Sequence, residues 1–214
     1  MKRSAQLALR LPFRGGKRPG AGRKPKGPRA LVSHKLRPRF EKPSPVHVTL
    51  RVQNHVWNLR SSRSFRRIKR CFEKSRGRFG ARLIEFSVQG NHLHLILEAD
   101  GNESLSRAMQ GLCIRIAKSL NAMMRRPGAV FSDHYHSRLL RSPTELVNAI
   151  RYVLGNAAHH FGSADADPFS SDHLAPDDRP NILALAVGWL LRVGRFRVAR
   201  PGVGAEESSP GRTD

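Results

Sequence analysis

Two short runs of residues on either side of the turn sequence Gln-Gly-Asn constrain the fold more than any other feature of the chain. Ala81–Val88 and His92–Glu98 have the length and composition of β-strands, and a short glycine-containing connection is typical of an antiparallel hairpin. Val46–Val52 alternates apolar and other residues and predicts another strand. His134–Arg141 is a fourth candidate. These four segments therefore predict a small antiparallel sheet.

Helices are predicted between and after these strands. Apolar residues spaced by three or four positions indicate one helix over Arg63–Arg76 and a longer one over Leu105–Met124. A third helix begins at Ser142, where a capping serine, Pro143 in the first turn and Glu145 form a capping-box sequence. The predicted order is β-α-β-β-α-β-α. This is an α+β fold of the ferredoxin-like, split β-α-β type, with a four-stranded antiparallel sheet and an added C-terminal helix.

The distribution of charge divides the chain. Its 214 residues include 39 Lys and Arg against 16 Asp and Glu, a formal net charge of +23. Residues 1–43 are rich in Gly, Pro and basic residues and predict a flexible basic arm. Residues 44–162 hold the regular patterning. Residues 163–214 predict an acidic loop, one short apolar helix and a disordered tail. Because so large a positive charge repels itself, it indicates a polyanionic partner.

Cysteine content and hydropathy exclude several classes of protein. Cys71 and Cys113 lack the paired spacing of a disulfide scaffold or a structural zinc site. The longest apolar run, Ile182–Leu191, is shorter than the ~20 residues that a membrane-spanning helix needs. No signal-peptide core follows the basic N-terminus. We therefore expect a cytoplasmic, nucleoid-associated protein without a membrane partner.

Two histidines, His92 and His94, lie in the strand that follows the turn. Residues two apart on a strand project from the same face, with their side chains starting about 7 Å apart. Two such imidazoles can share a divalent cation and leave its other positions open to a substrate. Because the neighbouring residues are aliphatic, the pair could equally be packed into the core. The spacing alone leaves both interpretations open.

The third predicted helix carries a tyrosine away from its apolar stripe. The stripe runs through Leu146 and Val153, whereas Tyr152 falls on the opposite side with Asn156 one turn later. This pattern indicates a phenol presented to a site, although a surface position or a contact with the sheet would produce it too. Gly155 is a candidate helix stop, which would break the one-turn relation between Tyr152 and Asn156.

Several segments together resemble the HUH-type single-tyrosine (Y1) transposases, in particular the branch associated with repetitive extragenic palindromes (REP). These segments are "NHLHLIL", "LSRAMQGLCIRIAKSLNAMMRRPGAVFSDHYHSRLL" and "LVNAIRYVLGN", preceded by the strand "SPVHVTLRV". They cover residues 44–160 in the order and spacing of that family. The resemblance implies a ferredoxin-like catalytic domain over residues 44–162.

The resemblance also implies the chemistry of the site. His92 and His94 would ligate Mg²⁺ or Mn²⁺, with Asn156 as the third ligand. Tyr152 would attack a phosphodiester of single-stranded DNA and form a covalent 5′-phosphotyrosine, as in DNA transposition and recombination. The residues after Tyr152 depart from the Asn-Pro ending expected there, which leaves His159 or His160 as substitute ligands.

Two alternatives concern the nucleophile and the activity. Tyr135 is the only other tyrosine, but strand alternation would place it on the face opposite His134 and His136. The chain could instead be a domesticated, catalytically weak DNA-binding protein. An RNA-binding module on the same scaffold fits less well, because such modules stack bases on aromatic residues of the sheet and the strands here carry few.

We expect the DNA partner to be single-stranded, a hairpin or a palindromic repeat, bound by a monomer or a homodimer. Basic residues attract the phosphate backbone of such DNA. The candidate contacts are Lys17, Arg18, Arg23 and Lys24 in the arm, Arg63, Arg66, Arg67, Lys69, Arg70 and Lys74 on the first helix, and His136 on the fourth strand.

Overall fold

The computed structural model describes residues 38–161 and 167–198, apart from the side chains of residues 157–161 and 198. Its centre is one four-stranded sheet in the order β2-β3-β1-β4, in which every neighbouring pair is antiparallel. The strands are β1 (Ser44–Arg51), β2 (Ala81–Val88), β3 (His92–Ala99) and β4 (His136–Leu139). The predicted ferredoxin-like α+β fold is confirmed, with β3 and β1 as the central strands.

Three helices connect and follow the strands. They are α1 (Ser62–Ser75), α2 (Asn102–Met124) and α3 (Pro143–Phe161). All three were predicted, with ends that differ by a few residues. The fourth strand is shorter than the predicted His134–Arg141, because only His136–Leu139 pairs with β1. None of the helices in the described ranges is long and apolar enough to cross a membrane.

The main core lies between one face of the sheet and helices α1 and α2. Alternate residues of β1 and β3 point into it, among them Val46 and Val48 on β1 and Leu93 and Leu95 on β3. Burial of these aliphatic side chains is the main source of stability for such a layered fold. All six apolar positions predicted for α2 are buried: Leu105, Met109, Leu112, Ile116, Leu120 and Met123.

The opposite face of the sheet carries a smaller core under α3. Leu146 and Val153 of α3 pack with Ile84 of β2, Ile96 of β3 and Leu191 from the C-terminal segment. Because Ile96 shares its face of β3 with His92 and His94, this core fixes α3 beside the histidine pair.

The start of α3 matches its predicted capping chemistry. Ser142 Oγ accepts a hydrogen bond from Glu145 N at 3.2 Å, and Glu145 Oε2 accepts one from Arg141 N at 2.8 Å. These side chains satisfy backbone donors that the first turn of a helix leaves open. The helix does not end at Gly155 but continues to Phe161. Tyr152 and Asn156 are therefore one turn apart on the same helix.

The C-terminal segment differs from the single apolar helix predicted there. The apolar run begins in the short helix α4 (Arg179–Ile182), continues without helical structure, and becomes helical again in a π turn (Leu190–Gly194) and α5 (Arg195–Val198). The backbone N–H groups of Val187 and Gly188 donate to the buried carboxylate of Glu98, at 2.8 and 2.7 Å. A helix would redirect these N–H groups, so the contact with β3 favours the irregular backbone.

The predicted domain boundaries remain predictions. Most of the basic arm, residues 1–43, lies outside the described residues, as does the tail after residue 198. Within the described part, the acidic loop after α3 packs against the end of β2, where Arg60 Nη2 and Asp167 Oδ1 form an ion pair of 2.8 Å.

Candidate active site

The two histidines of β3 lie side by side on the sheet face that α3 covers. Their ring centroids are 4.8 Å apart, with the planes nearly perpendicular at 89°. His94 is 5% exposed, whereas His92, the first residue of β3, is half-buried. Asn91 Oδ1 lies 2.9 Å from His92 Nδ1 and can accept its hydrogen. The strand therefore presents two imidazoles toward the same space, as alternation predicts.

Tyr152 of α3 faces this pair. Its ring centroid is 5.3 Å from that of His94, in an edge-on arrangement with an interplanar angle of 81°. The side chain is 49% exposed. A phenol that contacts a buried imidazole and is still half open to solvent can be reached by a macromolecular substrate. The structure thus brings Tyr152 of α3 to the pair His92 and His94 of β3, from which it lies far apart in sequence.

A third histidine belongs to the same cluster and was not among the predicted site residues. His47 of β1 lies with its ring centroid 5.3 Å from that of His94 and 6.0 Å from that of Tyr152. Its Nε2 is 3.2 Å from His94 Nδ1, and Thr49 Oγ1 is also 3.2 Å from that nitrogen. Strand alternation places His47, Thr49 and Arg51 on one face of β1. The pairing of β1 with β3 then brings that face beside His94, which the sequence of β1 does not indicate.

The environment of His47 keeps its ring neutral. Burial lowers the pKa of His47 from 6.5 to about 4, and the nearby positive charges of His136 and Arg138 act in the same direction. At neutral pH the His47 imidazole therefore has one N–H and one acceptor nitrogen.

Asn156 lies one turn after Tyr152 and is 2% exposed. Its Nδ2 is buried and finds no hydrogen-bond partner among the described residues. A buried amide nitrogen without a partner in the described part of the chain marks a side chain that could contact a bound group. The side chains of His159 and His160, the substitute ligands, lie outside the described residues.

The structure separates the second tyrosine from this cluster. Tyr135 is half-buried and packs against the main core, on the side of α1 and α2. Tyr152 lies on the other side of the sheet. His136 is exposed on β4, opposite Thr49 in the strand register, and so borders the histidine cluster. The contacts thus favour Tyr152 over Tyr135 as the tyrosine that works with the histidines.

The basic face of α1 lies on the far side of the sheet from Tyr152. Five of its predicted contacts are exposed to solvent, namely Arg63, Arg66, Arg67, Arg70 and Lys74. The sixth, Lys69, forms an ion pair of 2.8 Å with Asp178. On the side of the histidines, Arg51 is exposed next to His92 in the register, and Arg138 is exposed on β4. The predicted contacts Lys17, Arg18, Arg23 and Lys24 lie outside the described residues.

The chain has a ferredoxin-like antiparallel sheet with a histidine pair on a central strand, and a helix that crosses the same face carries a tyrosine. This combination is typical of the HUH-type single-tyrosine class. The family model described as "Transposase IS200 like" matches residues 44–156 of the chain. This protein belongs to the IS200-like transposase family. No curated protein sequence matches the chain.

Three solved structures are similar to the chain, and the first of them shares its fold. A REP-associated tyrosine transposase, solved bound to a REP hairpin, is 16% identical, with a TM-score of 0.53 over 73% of this chain and 94% of its own. A candidate transposase from Deinococcus radiodurans R1 is 12% identical, with a TM-score of 0.39 over 55% of this chain and 91% of its own. A bacterial tRNA(His) guanylyltransferase-like protein in complex with GTP is 13% identical, with a TM-score of 0.37 over 57% and 61%.

Proposed function

We propose that this transposase cleaves and rejoins single-stranded DNA next to a hairpin, through a covalent bond between Tyr152 and the DNA. The observation that carries the proposal is the contact of the Tyr152 ring with the buried ring of His94, beside His92. Membership of the family and the net charge of +23 support DNA as the partner. The hairpin is inferred from the fold shared with the REP-associated transposase that was solved bound to one.

In this reaction the Tyr152 phenolate oxygen attacks a backbone phosphorus. The bond from phosphorus to the 3′ oxygen breaks, the 3′ oxygen takes up a proton, and the phosphate remains on Tyr152 as a 5′-phosphotyrosine. Attack of a free 3′-OH on this ester reverses the reaction and joins the DNA without ATP, because the ester conserves the phosphodiester bond. The phenol must lose its proton before it can attack. The half-exposed position of Tyr152 leaves solvent free to take it.

The donors in the site suit a divalent cation. His92 and His94 would supply imidazole nitrogens, and Asn156 would supply an amide oxygen. Because Mg²⁺ prefers a set dominated by oxygen, the two imidazoles favour Mn²⁺ over Mg²⁺. When bound, the cation would polarise a phosphate oxygen and stabilise the charge that develops during displacement. Among the described residues, no group of three His, Cys, Asp or Glu side chains is placed to hold a metal ion. The third donor in this proposal is the amide of Asn156.

Covalent trapping tests the proposal. The protein is incubated with Mn²⁺ and a pool of single-stranded oligonucleotides, each with a constant hairpin and randomised flanking bases. A label at the 3′ end stays with the fragment that carries the 5′ phosphate, so an adduct appears as labelled protein on a denaturing gel. We expect Tyr152→Phe to abolish the adduct and the matched control Tyr135→Phe to retain it.

Three outcomes separate the functional hypotheses. Adduct formation by Tyr152→Phe would show that another residue is the nucleophile. Loss of the adduct in a correctly folded Tyr135→Phe variant would show that Tyr135 is needed for the reaction, which contradicts its use as a control. Tight, salt-sensitive hairpin binding by the wild type, without an adduct under Mg²⁺ or Mn²⁺, would instead support the domesticated DNA-binding protein.

A further inference from the structure

We propose that His47 and Thr49 are positioning residues for His94: they accept the hydrogen of its Nδ1 and so direct its Nε2 toward the bound cation. This inference rests on the proposed function, since it assumes that His94 is a ligand. It adds two residues from β1 to the site, neither of which touches the DNA or the cation in the proposal.

The geometry places both side chains at one atom. His47 Nε2 and Thr49 Oγ1 each lie 3.2 Å from His94 Nδ1. All three side chains rise from neighbouring central strands, and Thr49 is directly opposite His94 in the strand register. Side chains on paired strands are held more firmly than side chains on loops, which is the requirement for a precise supporting contact.

The position of one hydrogen decides what His94 can do. A neutral imidazole carries a hydrogen on one nitrogen and a lone pair on the other. When the hydrogen is on Nδ1 and is accepted by His47 or Thr49, Nε2 of His94 has the lone pair that a cation needs. When His47 donates instead, the hydrogen of His94 sits on Nε2 and blocks ligation. The inference therefore specifies a tautomer for each ring: hydrogen on Nδ1 of His94, and lone pair on Nε2 of His47.

Metal-binding histidines commonly donate their second nitrogen to a fixed acceptor, and loss of that acceptor weakens metal binding by roughly 10- to 100-fold. The edge contact of His47 with Tyr152, at 6.0 Å between centroids, joins the same residue to the nucleophile. One strand thus supports both the proposed ligand and the proposed nucleophile.

Mn²⁺ affinity of the full-length protein, measured by electron paramagnetic resonance of the free ion, tests the inference without using activity. We expect the double variant His47→Phe/Thr49→Val to bind Mn²⁺ about 10- to 100-fold more weakly than wild type. His47→Gln, which keeps an acceptor, should lie between the two. His134→Phe is the matched control, because His134 is exposed at the start of the β4 region. If His47→Phe folds poorly, Thr49→Val provides the test, because it preserves side-chain shape and removes one of the two acceptors. We expect it to weaken Mn²⁺ binding less than the double variant does, and an unchanged affinity would contradict the role of Thr49.

The tautomer is a second readout. Long-range ¹⁵N NMR correlations of the metal-free protein distinguish a protonated from an unprotonated ring nitrogen, and they should show the hydrogen of His94 on Nδ1. The inference is overturned if the hydrogen is on Nε2, or if the double variant binds Mn²⁺ as tightly as wild type.

The covalent assay keeps this inference distinct from the proposed function. Tyr152→Phe should bind Mn²⁺ like wild type while forming no adduct. Suppose that wild type binds Mn²⁺ and forms the adduct, and that the double variant binds Mn²⁺ with the same affinity. This result would support the proposed function and exclude the role of His47 and Thr49. A wild type that binds no Mn²⁺ would remove the inference, and adduct formation would still decide the proposed function separately.

Discussion

The Tyr152 ring of α3 stands nearly perpendicular to the His94 ring of β3, with centroids 5.3 Å apart and an interplanar angle of 81°. The contact depends on how α3 crosses the sheet, which the packing of Leu146 and Val153 under the helix determines. Because α3 continues past Gly155, Asn156 follows on the same side one turn later. The helix therefore carries the phenol and the amide as one unit.

Replacing Gly155 with alanine should stabilise the protein. Gly155 lies inside α3, and a Cβ added there meets no atom of the described residues within 4 Å. Alanine lowers the conformational entropy of the unfolded chain and should raise the free energy of unfolding by roughly 0.5–1 kcal/mol. Urea denaturation measures the change. Adduct formation should be unaffected, so a loss of stability or of adduct would show that α3 does not run straight through this position.

Gly188→Ala is the contrasting substitution. A Cβ at Gly188 would lie 2.7 Å from Glu98 Oε1 and 3.0 Å from the carbonyl oxygen of Pro43. Since Glu98 is held by Arg82 and by two backbone N–H groups, it has little freedom to withdraw. We expect a loss of about 1–3 kcal/mol in the free energy of unfolding, the usual cost of overpacking. A neutral result would mean that the C-terminal segment is not seated on β3 as described.

Acid should destabilise the metal-free protein through His47. Its pKa falls from 6.5 to about 4 on folding, so between these values the unfolded chain binds more protons and the free energy of unfolding decreases as the pH falls. The groups around it are His94 on β3, Tyr152 on α3, and His136 and Arg138 on β4. Urea denaturation with a chelator, from about pH 7 to pH 4, measures this slope.

His47→Gln should flatten that pH dependence, because glutamine does not titrate. His134→Gln is the control, since His134 is exposed and its removal should leave the slope as in wild type. An equal slope in wild type and His47→Gln would show that other groups cause the acid sensitivity.

Most of the fold could be predicted because its elements carry clear periodicity. The six buried positions of α2 follow a regular spacing, and the hairpin of β2 and β3 is marked by its turn. The single helix expected in the C-terminal segment is replaced by short helical turns joined by irregular backbone. A run of apolar residues is compatible with either structure. The irregular path of this segment depends on the buried carboxylate of Glu98, which lies far away in sequence.

Some residues of the site could be predicted from their own strand or helix, whereas one could not. His92, His94 and Tyr152 were visible because each breaks the pattern of its own element. His47 does not break the alternation of β1, and nothing in its neighbours indicates a role. Only the pairing of β1 with β3 brings it to His94, and a pairing that spans half the domain is a property of the folded sheet.

The two sides of the sheet should contribute to DNA binding in different ways. Arg51 is exposed beside His92, whereas Arg66 and Arg70 are exposed on α1, across the sheet. We expect Arg66→Gln/Arg70→Gln to weaken hairpin binding and to reduce the salt dependence of affinity by about one unit of slope per lost phosphate contact. The rate of adduct formation at saturating protein should not change. Fluorescence anisotropy at several salt concentrations measures the slope.

Arg51→Gln should instead lower the rate of adduct formation at saturation, because its position beside His92 is suited to orienting the cleaved strand. Equal effects of both changes on that rate would contradict the separation of the two faces.

The loop after α3 should depend on one ion pair. Asp167 is buried, and its two carboxylate oxygens accept hydrogen bonds of 2.8 and 2.9 Å from the Arg60 guanidinium. Arg60 also lies over the Phe169 ring, 4.5 Å from its centroid. Asp167→Ala removes the carboxylate from a largely buried guanidinium. We therefore expect it to lower the free energy of unfolding by about 3–5 kcal/mol.

Asp178 provides the matched control, because it forms an ion pair with Lys69 at the same distance of 2.8 Å but with 45% of its side chain exposed. Water screens an exposed pair, so Asp178→Ala should change stability by less than about 1 kcal/mol. Urea denaturation measures the free energy of unfolding of both variants under the same conditions. Because the two ion pairs have the same length, the difference between the variants reports the effect of burial. If both variants lost the same stability, the ion pair of Asp167 with Arg60 would not be buried as described, and the acidic loop would not be docked at the end of β2.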